Sequence, residues 1–276
     1  MQVAKKETVI NLLSTLMIRP LKRYGQNFLI DEEVAENIVE QLGLTPQDNV
    51  LEIGPGLGAL THYLVSSSVK RVELIEIDRT TANYLASAYE KDVRVKVSTM
   101  NILRYDFSLL AEPTKIIGNL PYYITTPILE ELMKAGPSLK GFVVMVQSEV
   151  IDRLLASVKS KDYGPLPIMI ALFGEGKRAF KVGPNKFFPQ PHVGSAVFAY
   201  SFTRNRERKY LQDFFRFLKQ LFNNRRKTIF NNLYGYLHDE ERTKNVLMEN
   251  GLDLQLRPEA ITPQQWEKLF NTIREL

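Results

Sequence analysis

Val50-Leu51-Glu52-Ile53-Gly54-Pro55-Gly56-Leu57-Gly58 is the stretch that decides the fold of this chain. An apolar run leads through three alternating glycines into a helix-like segment at residues 59–67. Glycine has no Cβ, so the backbone of a strand-to-helix turn can come close to a ligand there. The stretch therefore predicts a site for a nucleoside or a phosphate, with a plain tight turn as the alternative.

The spacing of the glycines narrows the kind of ligand. Dinucleotide-binding folds have G-x-G-x-x-G, whereas this chain has G-x-G-x-G at residues 54–58. The next predicted strand, residues 71–77, ends in Glu76-Ile77-Asp78. A carboxylate at that position can accept hydrogen bonds from the hydroxyl groups of a ribose. Together the two features favour a nucleoside cofactor over a structural turn.

Strands and helices alternate along the first part of the chain. Besides the two strands already described, strands are predicted at residues 93–98, 115–118 and 142–146. Helices are predicted at residues 32–42, 80–89, 127–134 and 148–157. Two β-rich runs, 177–182 and 195–202, then follow with a proline-rich loop between them. The pattern predicts an α/β fold with a doubly wound, mostly parallel sheet that ends in an antiparallel hairpin.

After Glu207 the sequence predicts only helices. They cover residues 210–221, 226–236, 240–249 and 263–273. We therefore predict a basic N-terminal extension at 1–23, a ligand-binding catalytic domain at 24–204 and a small all-α domain at 205–276.

The net charge of +5 is unevenly distributed. Residues 204–227 contain nine Arg or Lys against two acidic residues, and residues 1–23 have a local balance of +4, so the remainder is acidic. Two basic segments beside an acidic remainder are typical of a protein that binds a polyanion, although a solvated helix face is the alternative. The candidate phosphate contacts are Lys22, Arg23, Arg225, Arg226 and Lys227.

Composition excludes several other classes of protein. There is no cysteine, and the three histidines lie far apart without the spacing of metal ligands, so we expect no metal. No apolar run approaches the roughly 18 residues of a membrane span. The N-terminus lacks the apolar core of a secretory signal, and we expect a cytoplasmic protein.

Asn119-Leu120-Pro121-Tyr122 follows a predicted strand and is the most informative motif. Proline stiffens the turn, which would point the Asn119 side-chain oxygen and a neighbouring backbone carbonyl in one direction. Two converging acceptors match the two N–H bonds of an exocyclic amine, and the Tyr122 ring offers a flat face for a base. Alone, the tetrapeptide is more often a turn. After a strand of a glycine-loop fold, it indicates methylation of an amine held in line with a sulfonium methyl, which needs no strong base.

Six segments, in order from about residue 20 to the C-terminus, resemble one known family. They are Tyr24-Gly25-Gln26-Asn27-Phe28-Leu29, Glu52 to Gly58, Glu76-Ile77-Asp78, Asn119 to Ile124, Phe187 to Val197, and Asn224-Arg225-Arg226-Lys227-Thr228. The chain resembles the small-subunit rRNA adenine dimethyltransferases, the KsgA-type enzymes. The resemblance implies a Rossmann-like class I methyltransferase fold with S-adenosyl-L-methionine as cofactor. It also implies dimethylation of N6 of two adjacent adenosines in a hairpin loop near the 3′ end of small-subunit rRNA, by a monomer acting on a pre-30S-like particle during ribosome assembly.

The resemblance also implies roles for individual residues. The implied cofactor contacts are Gln26, Asn27, Leu29, Gly54, Gly56, Gly58, Glu76, Ile77, Asn101, Ile102 and Asn119. Glu76 would bind the ribose, and Asn101 stands where the family has an acidic residue for the adenine amino group. The implied catalytic residues are Asn119, Leu120, Pro121, Tyr122 and Phe187. Phe187 would stack on the flipped target base, with a core aromatic as the alternative, and Gly194 replaces a common acidic residue in a loop that we expect to be more flexible.

Two other functions are compatible with most of these motifs. A large-subunit rRNA adenine methyltransferase of the macrolide-resistance type shares the fold, but residues 122–127 and 224–228 are more similar to the small-subunit group. A catalytically inactive RNA-binding assembly or transcription factor is the second alternative. The intact glycine loop, Glu76 and Asn119 argue against it.

Overall fold

The computed structural model describes residues 3–18 and 27–275. The helices are α1 (Lys6–Thr15), α2 (Glu32–Glu40), α3 (Thr61–Ser66), α4 (Arg79–Ala88), α5 (Thr125–Lys134), α6 (Ser148–Leu154), α7 (Pro165–Phe173), α8 (Arg208–Phe222), α9 (Ile229–Leu237), α10 (Glu240–Glu249) and α11 (Pro263–Arg274). The strands are β1 (Phe28–Leu29), β2 (Asn49–Ile53), β3 (Arg71–Glu76), β4 (Val95–Thr99), β5 (Thr114–Asn119), β6 (Leu139–Gln147), β7 (Gly174–Val182), β8 (Phe187–Phe188) and β9 (Ser195–Phe202).

Within the described residues, seven strands form one sheet in the order β4-β3-β2-β5-β6-β9-β7. Strands β2 to β6 pair in parallel with their neighbours, and β9 runs antiparallel to β6. Strands β1 and β8 form a separate antiparallel pair. The predicted α/β fold, with a doubly wound and mostly parallel sheet that ends in antiparallel strands, is confirmed.

The central strands β2 and β6 read as largely apolar runs because both faces of the sheet are covered there. Leu51 in β2, Ile116 in β5 and Val144 in β6 are completely buried. The first run of this kind ends at Ile53, where the glycine turn begins. Burial on both faces therefore explains why the strands could be located from sequence although their residues do not alternate between apolar and polar.

The register of the central strands determines where the site forms. Ile53 at the end of β2 pairs with Ile75 of β3 on one side and with Gly118 of β5 on the other. The residues that follow these positions consequently emerge at the same edge of the sheet. The chain order also reverses beside β2, and ligands of open α/β sheets bind at such a point.

Contacts between Cα atoms divide the chain into two units. The first is Met1–Ile151 with Gly176–Phe202, and the second is Asp152–Glu175 with Thr203–Leu276. The sequence prediction had placed residues 152–175 with the sheet. They group with the second unit because α7 is buried there, with the Phe173 ring 6.2 Å from that of Phe214 in α8. Helix α7 is apolar on all sides, so it shows no 3.6-residue period by which it could be recognised.

The helix predicted at residues 226–236 begins later, at Ile229. Thr228 is its N-cap and accepts a hydrogen bond from the Asn231 N–H at 3.3 Å. The side-chain amide of Asn232 donates to the carbonyls of Asn224, Lys227 and Thr228 and holds the preceding loop closed. Two of the candidate phosphate contacts, Arg226 and Lys227, therefore lie on this loop rather than in a helix.

Helix α1 was not predicted, since residues 1–23 were interpreted only as a basic extension. Its buried side chains Val9 and Leu13 lie one turn apart and pack with Phe28 and Leu57. This packing joins α1 to the start of the catalytic unit. Among the described residues, no helix is both long and apolar enough to cross a membrane.

Candidate active site

A cavity lies in the first unit at the carboxyl ends of β2, β3 and β5. The predicted site residues that line it are Asn27, Leu29, Gly54, Gly56, Glu76, Ile77, Asn101, Ile102, Asn119, Leu120, Pro121 and Tyr122. Gly58 and Phe187 do not line it, and Gln26 lies outside the described residues. The structure therefore brings together side chains from segments that are nearly 100 residues apart in sequence.

The glycine turn forms one wall of this cavity. Gly56 has a φ of +54° and Gly58 a φ of +90°, values in the left-handed region that favours glycine. A Cβ on Gly58 would lie 3.0 Å from Cδ2 of Leu85 in α4. Gly58 thus allows close packing between the turn and α4. Its role is in this packing, and it does not line the cavity.

Glu76 is held in place by backbone donors. Its side chain is buried, Oε2 accepts from the Gly56 N–H at 3.0 Å, and Oε1 accepts from the Asp78 N–H at 2.8 Å. Burial raises the pKa of this carboxyl above its usual range, and the hydrogen bonds from the backbone N–H groups of Asp78, Gly56 and Ile77 act in the opposite direction. Two carboxylate oxygens have four lone pairs between them, so Glu76 can also accept a hydrogen bond from a ligand hydroxyl.

Glu52 lines the same cavity and was not predicted as a site residue. It is 1% exposed, and its Oε2 accepts from the Thr61 hydroxyl at 2.7 Å. Burial, with a smaller contribution from the charge of Glu76, raises the pKa of the Glu52 carboxyl to about 8. Its position two residues before Gly54 in the same motif was the sequence signal for this side chain.

Asn119 ends β5 with its amide oriented by one hydrogen bond. The Nδ2 atom donates to the carbonyl of Asn27 at 3.2 Å. Since the oxygen and nitrogen of an amide lie on opposite branches, this bond directs Oδ1 away from Asn27. Both residues line the cavity, so the Asn119 oxygen is placed as an acceptor for a ligand there.

The backbone after Asn119 supplies a second acceptor. The Pro121 carbonyl accepts from the Ile124 N–H at 3.2 Å and from the Thr125 hydroxyl at 3.0 Å, which uses both of its lone pairs. The Leu120 N–H donates to the Met145 carbonyl of β6 at 3.0 Å. Leu120 is thereby fixed beside the sheet, and its carbonyl is the acceptor next to Asn119 in the chain.

Two tyrosines line the cavity beyond this turn. The Tyr122 hydroxyl lies 2.8 Å from the Ser195 hydroxyl, and Tyr123 is half exposed. Burial raises the pKa of the Tyr122 phenol, which keeps it neutral. Aromatic faces are therefore present on the side of the cavity that carries the Asn119 motif.

Phe187 does not line the cavity. It is 2% exposed and belongs to the hydrophobic core together with Leu29, its pairing partner in β1. Successive residues of a strand point to opposite sides, and Phe188 instead packs against the cluster of Val9, Leu13 and Phe28. In this structure Phe187 is thus a core aromatic, the alternative considered from sequence.

Asn101 caps a short 3-10 turn at residues 102–104. Its Oδ1 accepts from the Leu103 N–H at 2.9 Å, and the buried Ile102 follows directly in the turn. The oxygen retains one lone pair after this bond. Asn101 can therefore accept a hydrogen bond from an amino group, although without the charge of a carboxylate.

The cavity also has a wall that the sequence did not predict. Val3 and Val9 line it, and both are almost fully buried. They belong to the N-terminal cluster that packs on Phe28 and Leu57, the residues beside Asn27 and Gly56. The signal available in the sequence was the apolar spacing of Val9 and Leu13, which is that of one helix face.

The candidate phosphate contacts differ in their surroundings. The Arg225 guanidinium donates to the carbonyls of Lys161 and Ser160, and its Cζ lies 6.0 Å from the centre of the Phe222 ring. Arg226 and Lys227 are exposed. Lys22 and Arg23 lie outside the described residues. Arg225 thus forms its contacts within the second unit. The exposed cations of this motif are Arg226 and Lys227.

No group of three or more His, Asp or Glu side chains in residues 3–18 and 27–275 is arranged to hold a metal ion. The cavity instead combines a glycine turn, two buried carboxyl groups and an asparagine amide at the ends of parallel strands. This combination on a doubly wound sheet defines a Rossmann-like class I methyltransferase. The ribosomal RNA adenine dimethylase family model matches residues 19–275, and the chain belongs to that family. It is an S-adenosylmethionine-dependent rRNA adenine dimethyltransferase.

Comparisons with individual proteins and solved structures support the same family assignment. The chain is 36% identical to ribosomal RNA small subunit methyltransferase A of Bacillus licheniformis, over 92% of this chain and 91% of that protein. The crystal structure of a dimethyladenosine transferase from Plasmodium falciparum has a TM-score of 0.73 at 22% identity, over 90% of this chain and 97% of that one. The 23S rRNA methyltransferase ErmE has a TM-score of 0.65 at 26% identity, over 90% of this chain and 100% of that one.

We predict that Glu52→Gln changes the pH dependence of stability. The folded protein holds the Glu52 proton up to about pH 8, whereas the unfolded chain releases it near the ordinary carboxyl pKa of 4.5. The contribution of Glu52 to the free energy of unfolding of the wild type is therefore fully present below pH 4.5 and is lost as the pH rises through 8. The Tm of Glu52→Gln should rise relative to wild type between pH 5 and pH 8.

Thermal unfolding across this pH range checks the expectation. Glu90→Gln is the matched control, since Glu90 is exposed. A constant difference in Tm between Glu52→Gln and wild type at all pH values would show that Glu52 is ionised in the folded protein.

We also predict that Val9→Asn weakens cofactor binding about tenfold, because a buried amide costs about 1–3 kcal/mol and its relief displaces the apolar wall that Val9 forms with Phe28 and Leu57. Ile10→Asn on the same helix is the control, since Ile10 is 41% exposed and does not line the cavity. Calorimetric titration with S-adenosylhomocysteine measures both affinities. Equal affinities in the two variants would remove α1 from the cofactor site.

Proposed function

We propose that the enzyme dimethylates N6 of two adjacent adenosines in a hairpin loop near the 3′ end of small-subunit rRNA. The relative with 36% identity is named a small subunit methyltransferase, whereas the 23S rRNA methyltransferase is 26% identical. These values favour the small subunit over the large one. The observation that carries the catalytic part of the proposal is the Asn119 amide, whose nitrogen is bound to Asn27 and whose oxygen is left for a substrate.

The residues of the cavity fit S-adenosylmethionine. The glycine turn at Gly54 and Gly56 admits a ligand close to the backbone, and the Glu76 carboxylate is fixed where it would accept from ribose hydroxyls. Ile77 and Ile102 would flank the adenine ring, and Asn101 would accept from its amino group. The cofactor supplies a methyl group on a sulfonium, which is an excellent leaving group.

Asn119 Oδ1 and the Leu120 carbonyl would accept the two N–H bonds of the target adenine N6. The lone pair of this amine belongs to the ring, and the two hydrogen bonds favour a more localised lone pair. A new N–C bond then forms while the S–CH₃ bond breaks, and the product loses one proton to solvent. Holding the amine in line with the methyl supplies much of the catalysis.

The target base would stack on Tyr122, which requires that it leaves its own stack. Unstacking costs a few kcal/mol and is least for an unpaired base. A hairpin loop therefore suits the site better than a duplex. Tyr123 lines the same part of the cavity and is half exposed, so it is accessible to the incoming nucleotide.

The physiological substrate that we propose is a pre-30S-like particle, on which the enzyme acts as a monomer in the cytoplasm during ribosome assembly. Arg226 and Lys227 would bind phosphates of the rRNA, since both are exposed. Such contacts provide affinity rather than choice of base. We propose that the first unit carries catalysis and the second unit carries RNA binding, with residues 152–175 in the second unit rather than in the catalytic domain.

A methyl-transfer assay on small subunits that lack the modification tests the proposal. Mapping the methylated positions should find two adjacent adenosines near the 3′ end of the small-subunit rRNA. Methylation of large-subunit rRNA would support the macrolide-resistance type instead. If no rRNA is methylated and S-adenosylmethionine does not raise the Tm, the chain is a non-catalytic RNA-binding factor.

We predict that Asn119→Ala lowers kcat at least 100-fold while rRNA binding is retained, by analogy with the loss of one donor or acceptor at a preorganised site. Asn119→Asp is the matched variant, because it keeps an acceptor oxygen but loses the donor to Asn27, and it should retain part of the activity. Single-turnover rates at saturating cofactor measure both. Full turnover by Asn119→Ala would exclude this side chain from the mechanism.

We further predict different effects within the basic motif. The double variant Arg226→Ala, Lys227→Ala should reduce the slope of log K against log salt by roughly 1.4 to 1.8, the range expected for two phosphate contacts on single-stranded or duplex nucleic acid. Arg225→Ala should instead lower the Tm, because it removes two backbone hydrogen bonds and the contact with Phe222.

Filter binding of rRNA at several salt concentrations measures the slope, with Lys244→Ala on α10 as the control. An unchanged slope in the double variant would place the phosphate contacts elsewhere.

A further inference from the structure

The Tyr122 ring is connected to the sheet through one side chain. Its hydroxyl lies 2.8 Å from Oγ of Ser195, which is 1% exposed and begins β9. Tyr122 itself belongs to a short 3-10 turn at residues 122–124, outside every strand. The hydrogen bond thus links a residue of a turn to a residue of the sheet.

Ser195 is fixed independently of Tyr122. It pairs with Gln147 at the end of β6. The carbonyl of its neighbour Gly194 accepts from the Ser148 N–H at 3.1 Å, and the Arg178 guanidinium donates to the Ser148 carbonyl at 3.2 Å. Because these contacts hold the start of β9 in place, Ser195 is the fixed partner and the tyrosine is the oriented one.

The Tyr122 hydroxyl keeps its proton and can therefore take part in the hydrogen bond with Ser195. Burial raises the pKa of the Tyr122 phenol, so the hydroxyl stays neutral and is available both to donate and to accept. The hydroxyl oxygen lies on the axis of the second side-chain torsion, so the bond does not restrict rotation about that axis, but it fixes the first torsion and with it the place of the ring. One hydrogen bond at the far end of the ring therefore determines where on the cavity wall the ring lies.

We propose that Ser195 is a positioning residue for methyl transfer, which acts by holding the Tyr122 ring at the place where it stacks on the target adenine. The inference rests on the proposed function, since it requires that Tyr122 contacts the base. Ser195 does not line the cavity and would not touch the cofactor. Its loss should consequently affect kcat rather than cofactor affinity.

A double-mutant cycle on this pair tests the proposal. Ser195→Ala and Tyr122→Phe each remove one side of the bond and should each lower kcat about three- to tenfold, the effect of one net hydrogen bond. The double variant should be no slower than Tyr122→Phe alone. The affinity for S-adenosylhomocysteine should be unchanged in all three variants, and Ser201→Ala, an exposed position of the same strand, should have wild-type kcat.

Three results would overturn the proposal: an unchanged kcat in Ser195→Ala, losses that multiply in the double variant, or a weaker cofactor affinity in Ser195→Ala. The Tm of Ser195→Ala reports whether that variant folds. Tyr122→Phe removes the same hydrogen bond at the partly exposed residue, so it tests the proposal even if Ser195→Ala does not fold. Absence of methyl transfer in the wild-type protein would count against the proposed function, whereas an active wild type with an unaffected Ser195→Ala counts against this inference alone.

Discussion

The hydrogen bond from the Gly56 N–H to Oε2 of Glu76 is the contact on which the geometry of the cavity depends. It joins the turn after β2 to the end of β3, two strands already paired through Ile53 and Ile75. A buried carboxyl without partners is costly, so Glu76 can remain there only because backbone donors are directed at it. Gly56 presents its N–H from a left-handed conformation. The glycine turn and the acidic residue therefore act as one structural unit, although 20 residues separate them in sequence.

The opposite side of the cavity is organised in the same way, by segments distant in sequence. The Asn119 amide is oriented by the backbone of Asn27, and the Tyr122 hydroxyl by the side chain of Ser195. The strand order brings these segments together, because β5 lies between β2 and β6 and β6 pairs with β9. The tetrapeptide after β5 is thus held from two sides before any substrate binds. Sites built on such fixed elements keep their geometry better than sites on free loops.

Much of this arrangement could be predicted from sequence. Parallel strands end at one edge of a sheet, so the glycine turn after β2, the acid at the end of β3 and the asparagine at the end of β5 had to converge. Other features depend on contacts that no local pattern contains. Helix α7 lacks a period, the charge of Glu52 depends on its burial, and the partners of Arg225 lie more than 60 residues away. Which of Phe187 and Phe188 enters the core depends on the pairing of β8 with β1.

The chemistry of the cavity follows from what its titratable groups can do. Glu52 is protonated at neutral pH, the Glu76 oxygens are engaged with backbone donors, and the Tyr122 phenol is neutral, so none of the three is placed as a strong base beside Asn119. An aromatic amine that attacks a sulfonium methyl does not need one. Its proton becomes acidic only after the new N–C bond has formed, and solvent can then accept it. In the mechanism that we propose, the enzyme contributes distance and direction, and the hydrogen bonds of Asn119, Leu120 and Tyr122 hold in place the groups that would supply them.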